Sequence, residues 1–162
     1  MLRAAVVVLL ALSPAPCRSG PAPCPASGAE VVADTRRHGL WLCESGLAVE
    51  RFPVAVGRGG PGKRQRGDLR TPLGEYPLGP PRPSRRCGLF IPVGYPTPEQ
   101  RRLGYTGTTV GIHGPDRLTR WLGGLTAFRD WTAGCVVVGS DAEIQRIAGR
   151  VASRAPARVR IR

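Results

Sequence analysis

Acidic residues are scarce in this chain and lysine is nearly missing. There is no internal repeat, no metal-type cysteine spacing and no apolar run long enough to cross a membrane. Lys+Arg number 24 against 11 Asp+Glu, a formal charge of +13, and Lys63 is the single lysine. Such a surplus attracts polyanions. No helix-turn-helix, aromatic ribonucleoprotein or zinc-finger pattern accompanies it, so nucleic acid is not the expected partner. A carboxylate-bearing wall polymer would suit the same charge, and arginine standing in for lysine as a habit of composition is an equal account. The absence of any Cys-x-x-Cys or Cys/His cluster removes zinc from the expectation. The Gly-rich stretch Gly57–Gly67 leads into Thr71-Pro72 and a strand-like segment, not a helix, so it is no phosphate cradle, and no cofactor is expected.

The longest apolar stretch, Ala4 to Leu12, follows the basic Met1-Leu2-Arg3 and precedes small residues and prolines. That is the layout of a secretory leader. Cleavage after Gly28 is expected, giving a leader 1–28 and one domain 29–162 in the periplasm or outside the cell. Lipid attachment at Cys17 is the less favoured alternative, because Pro16 precedes it. Removing 28 residues leaves Cys43, Cys87 and Cys135. In an oxidising compartment three cysteines suggest one bridge and one free thiol, and pairing Cys43 with Cys87 spares Cys135.

The remainder reads as β structure. Val31–Asp34 is a first strand, and Leu40–Cys43 and Leu47–Glu50 flank a Gly-containing loop, which makes a hairpin. Phe52, Val54 and Val56 alternate towards one core face. Residues 77–107 are proline-rich and read as irregular, with a helical turn at Glu99–Leu103. Ser140-Asp141-Ala142-Glu143 is a capping box, and Ile144, Ile147, Ala148 and Val151 follow the spacing of one helix face. A last strand runs from Ala157 to Ile161.

Chemistry concentrates in two places. Gly134-Cys135 stands where a turn enters the Val136–Val138 run, and His113 ends the β-like run Thr108–Ile112. If the two strands are neighbours, imidazole and thiol can meet, which is how a cysteine nucleophile is activated. A lone Cys beside valines is more often a small buried hydrophobe, so the pair carries the reading. Backbone N–H groups at the turn can face a developing oxyanion.

Thr71-Pro72-Leu73-Gly74-Glu75-Tyr76, then His113-Gly114, then Thr132-Ala133-Gly134-Cys135, matches the motifs of the L,D-transpeptidase catalytic domain in order. From about residue 30 to its C-terminus the chain resembles that family of peptidoglycan cross-linking enzymes. The resemblance implies a mainly β, β-sandwich-like fold with one or two short helices, one near the C-terminus. It implies a Cys135 nucleophile, a His113 base oriented by the Gly114 carbonyl, oxyanion donors at Cys135 and Gly134, and Thr132 as brace of the turn. The implied partner is a peptidoglycan stem peptide, met by a monomer peripheral to the cell wall. Two departures stand out: Ala133 where many members have His, and Val137 where many have Arg. Valine cannot hold a carboxylate, so Arg117, Arg120 or Arg129 in the 114–131 insertion is expected to do so, with Tyr105 lining the groove and the insertion serving as a lid. A hydrolase using the same Cys-His site and a non-catalytic wall-binding domain remain open alternatives.

Overall fold

A computed structural model describes residues 24–28 and 30–162; the apolar leader and Cys17 lie outside them. Its nine strands are β1 (Val31–Asp34), β2 (Gly39–Glu44), β3 (Leu47–Ala55), β4 (Gly74–Pro77), β5 (Arg82–Ser84), β6 (Gly88–Pro92), β7 (Gly111–His113), β8 (Val136–Val138) and β9 (Arg158–Ile161). They form one sheet in the order β4-β9-β1-β2-β3-β8-β7-β6-β5. β3 joins its halves: Leu47 to Pro53 pair with β2, while Val54 and Ala55 pair with Val138 and Val137 of β8. The mainly β expectation thus holds as one curled sheet with few short helices.

Alternation along each strand divides the faces. Val54, Ile91, Ile112, Val136 and Val138 enter the main core, where they meet Ile144, Ile147 and Val151 of the helix Asp141–Ser153. The Ser140 hydroxyl accepts from the Glu143 N–H while the Glu143 side chain accepts from Ser140, closing the expected capping box. Each fully buried isoleucine of this helix contributes roughly 1.5–3 kcal/mol, so its apolar stripe clamps it beneath the β6–β8 half of the sheet. The short helix Pro98–Arg102 stands where a helical turn was expected, capped by Thr97.

Two expectations need correction. Residues 82–92 are a hairpin, not irregular chain. β5 is the sheet edge, so Pro83 removes no ladder bond that the edge needs, which is how proline survives in a strand. The disulfide joins Cys24 to Cys43, while Cys87 is free and buried and Cys135 is free and half-buried. Cys87 instead lies within hydrogen-bond reach of the Ser84 hydroxyl, 3.1 Å away. The Cys43–Cys87 pairing failed because it presumed that Cys24 was removed. The bridge spans 19 residues of sequence and ties the N-terminal segment to β2. Replacing both Cys24 and Cys43 by serine should cost about 3 kcal/mol in denaturant unfolding. Mass mapping after alkylation of native protein should label Cys135 first and Cys87 only on unfolding.

Candidate active site

Cys135 sits at the entrance of β8, and the turn before it is built by Thr132. The buried Thr132 hydroxyl donates to the Cys135 carbonyl at 2.8 Å and accepts the Gly134 N–H at 3.0 Å. Gly134 has φ +129°, and a Cβ there would lie 2.5 Å from the Arg70 carbonyl oxygen. Only glycine fits. Thr132 thus closes the turn through two hydrogen bonds, and the Gly134 N–H is already committed to it. Among the described residues no acceptor takes the Cys135 N–H, so that group is the turn's available oxyanion donor and Gly134 serves by shape instead.

β7 and β8 are parallel neighbours, with Ile112 opposite Val136 and His113 opposite Val137. Cys135 and His113 line one cavity of about 700 Å³. The His113 Nδ1 lies 2.7 Å from the Gly114 carbonyl, which requires the proton on Nδ1 and leaves Nε2 as the basic nitrogen. The Gly114 carbonyl thus lies against the imidazole at the position the resemblance implied for it. The resting thiol points at the Thr109 carbonyl, 3.5 Å away. No thiol–imidazole bond has formed, a common feature of substrate-free sites.

Electrostatics keep both groups uncharged at rest. Burial lowers the His113 pKa below 6.5, opposed by the Gly114 bond and assisted by the Arg86 charge. Burial raises the Cys135 pKa, opposed by the Gly111 N–H and by the Lys63 and Arg86 charges. A neutral imidazole beside a neutral thiol keeps one nitrogen able to take a proton.

The Gly-rich loop, although basic and rich in glycine as solvated loops are, forms one wall of this cavity: Arg58, Lys63 and Arg66 all line it. What organises it is Asp68. Its carboxylate accepts from the Lys63 ammonium at 2.6 Å and from the Arg64, Gln65 and Arg70 N–H groups. Burial alone would raise its pKa. The Lys63 bond and the three N–H groups outweigh that and hold it far below the usual carboxylate range. Lys63 is itself 5% exposed, so removing its partner strands a buried charge. Asp68→Asn should cost about 3 kcal/mol at neutral pH. Because the folded pKa is depressed, that contribution is present above the unfolded value near 4 and lost as pH falls through the folded one. Urea melts of both proteins at pH 7 and pH 3 should show the gap narrowing in acid.

The expected carboxylate holders are elsewhere. Arg120 pairs with Asp141 at 3.4 Å, Arg129 is exposed, and Tyr105 packs against the core beneath the Arg64 guanidinium. None of them, nor Arg117, lines the cavity. The insertion forms two short 3-10 turns within Arg120–Ala127, broken by a kink at Gly123, and they pack on β3 and β8. Its Trp121 is 79% exposed, and of the 114–131 insertion Trp131 alone, next to Thr132, lines the cavity, so the 3-10 segment does not cover it as a lid would. The basic residues that line the cavity and that the sequence did not single out for the site are Arg58, Lys63, Arg66, Arg82 and Arg86. The sequence signal was present in the arginine excess near the Gly-rich and proline-rich segments, but the fold was needed to show which arginines face inward.

Among the described residues no group of His, Cys, Asp and Glu could hold a metal. The model of the L,D-transpeptidase catalytic domain (YkuD) matches residues 28–161. Solved structures share the fold. Pgp2, a helical cell shape determining protein of Campylobacter jejuni, is 22% identical with a TM-score of 0.65, over 81% of this chain and 46% of that one. An L,D-transpeptidase of Xylanimonas cellulosilytica is 20% identical, TM-score 0.54, over 86% of this chain and 64% of its own. One from Mycobacterium smegmatis is 16% identical, TM-score 0.56, over 83% and 59%. The chain thus spans about half the length of the first of these and less than two thirds of the others. No curated protein matches it in sequence.

Proposed function

The chain belongs to the L,D-transpeptidase catalytic-domain family, and from that premise we propose that it transfers acyl groups between peptidoglycan stem peptides in the cell envelope. The supporting observation is that Cys135 shares one cavity with a His113 whose Nδ1 is occupied by the Gly114 carbonyl, so that Nε2 is the nitrogen free to work on the thiol. The Cys135 sulfur attacks the carbonyl carbon of the third residue of a tetrapeptide while its proton passes to Nε2. The Cys135 N–H receives the oxyanion. Collapse breaks the peptide bond, and the imidazolium protonates the leaving nitrogen of D-alanine. An amine of a second stem then attacks the thioester, gives up its proton to His113, and restores the thiol.

Hydrolysis is the second reading, favoured by one feature: the 3-10 segment leaves the cavity uncovered, and water that enters competes with the amine. Incubating the protein with tetrapeptide, with and without a soluble diamino-acid acceptor, separates the two. Transfer gives an exchanged product that grows with acceptor, whereas D-alanine release with no such product at any concentration supports hydrolysis. Export belongs to the same proposal. A leader cut after Gly28 would discard Cys24 and with it the bridge to Cys43, so we place the cut ahead of Cys24. Mass measurement of the mature N-terminus tests that placement.

A further inference from the structure

Val137 leaves open how this site holds a substrate carboxylate, and the sheet register suggests an answer. Arg82 is the register partner of Phe90, Phe90 of His113, and His113 of Val137. Directly paired residues project to the same face. Arg82, Phe90, His113 and Val137 therefore form one row across β5, β6, β7 and β8. Cys135 belongs to that face too, being two residues from Val137. The row is packed as well as aligned. The Arg82 guanidinium carbon lies 5.4 Å from the Phe90 ring centroid, and the Phe90 and His113 rings stack at 6.0 Å. Arg86 joins them at the cavity wall, its Nε held by Asp116 at 2.6 Å, with no other side-chain partner among the described residues. Arg82 has no acidic partner among them. No Asp or Glu lines the cavity, so an anion entering it meets no repulsion from its walls.

The place of this row relative to the chemistry fixes which carboxylate it serves. His113 must reach the leaving nitrogen to protonate it. In a leaving amino acid the carboxylate carbon is about 2.5 Å from that nitrogen. It therefore lies on the histidine side of the site, where strands about 4.8 Å apart put Arg82 two strands from His113. A guanidinium at that range can span the gap and grip both oxygens.

We propose that Arg82, assisted by Arg86, is the seat for the free carboxylate of the leaving residue, supplying from β5 the guanidinium that position 137 lacks. The site thereby favours donors that end one residue beyond the bond broken. Naming that residue as D-alanine rests on the transpeptidase reading; the anion seat beside His113 does not.

Two measurements test it together. The first uses small thiol reagents and no peptide: the rate of Cys135 alkylation by iodoacetate relative to neutral iodoacetamide, followed by mass at the Cys135 peptide. Arg82→Gln should lower that ratio severalfold, Arg82→Lys should retain part of it, and Arg101→Gln, on the exposed short helix, should leave it unchanged. The second compares a tetrapeptide with its C-terminal amide as donor. Wild type should prefer the acid, and Arg82→Gln should raise the KM for the acid about tenfold or more while leaving the amide nearly unaffected. Unfolding curves matched to wild type show that the exposed substitution has not disturbed the fold. A reagent ratio that is the same in wild type and Arg82→Gln overturns the seat, whatever the peptides do. If the ratio falls but neither peptide is a donor, the seat stands and the stem-peptide reading is what fails. If the ratio falls and acid and amide lose equally, the seat does not serve the leaving residue, and that assignment is overturned.

Discussion

Cys135→Ala should abolish release of D-alanine from a stem tetrapeptide, by about four orders of magnitude or more, as loss of a nucleophile does elsewhere. It should do so in a protein that still folds. The thiol is half-buried and its contacts, to the Thr109 carbonyl and the Gly111 N–H, are weak, so its loss should cost less than about 1 kcal/mol. The turn that presents it is held by Thr132 and Gly134, which the substitution leaves alone. Unfolding curves and release rates on the same preparation check both halves. A large loss of activity accompanied by unfolding would say nothing about nucleophilicity; the expected signature is activity lost and stability kept.

His113→Gln should slow formation of the thioester about 10²–10⁴-fold, the range typical of a removed general base. The pH dependence identifies the cause. His113 must be neutral to accept the thiol proton, and burial keeps its pKa below 6.5. Wild-type acylation should therefore rise as pH climbs through a value below 6.5 and stay high above it, while the variant loses that limb. The same shift has a consequence for stability. Between the folded pKa and the unfolded value near 6.5 the unfolded chain binds more protons, so stability attributable to His113 is present above that window and lost as pH falls through it. Stopped-time acylation assays from pH 5 to 8 on both proteins provide the comparison. A wild-type limb that persists unchanged in His113→Gln would assign the titration to another group.

Much of the scaffold was legible because its signals are local. Val31–Asp34, the hairpin around Glu44-Ser45-Gly46 and the capped helix from Asp141 each follow from a period, a turn residue or a cap within a few positions. The placement of the candidate nucleophile and base was legible because Gly134-Cys135 and His113-Gly114 stand at strand ends, and the parallel pairing of β7 with β8 sets them in one cavity. What was not legible depended on long-range placement. The Asp68 staple folds the Gly-rich loop inward, so a stretch that looks solvated lines the site. Pro81 and Pro83 hid β5 because proline argues against a strand until one knows that the strand is an edge. The carboxylate holder was sought in the 114–131 insertion because it adjoins His113 in sequence. In the fold that segment lies on β3 and β8, and Arg82 arrives beside the histidine from two strands away. The cysteine pairing left Cys24 out of account, whereas Cys24 is bridged to Cys43.

The central claim is that Cys135 carries the acyl group between donor and acceptor, and the intact mass of the protein during turnover tests it most directly. Wild type mixed with a tetrapeptide in the absence of acceptor should gain the mass of the tripeptide acyl group, localised by digestion to the peptide containing Cys135. The adduct should disappear when a diamino-acid acceptor is added. Release of D-alanine at an undiminished rate from Cys135→Ala, or an adduct mapped to Cys87, would contradict the account.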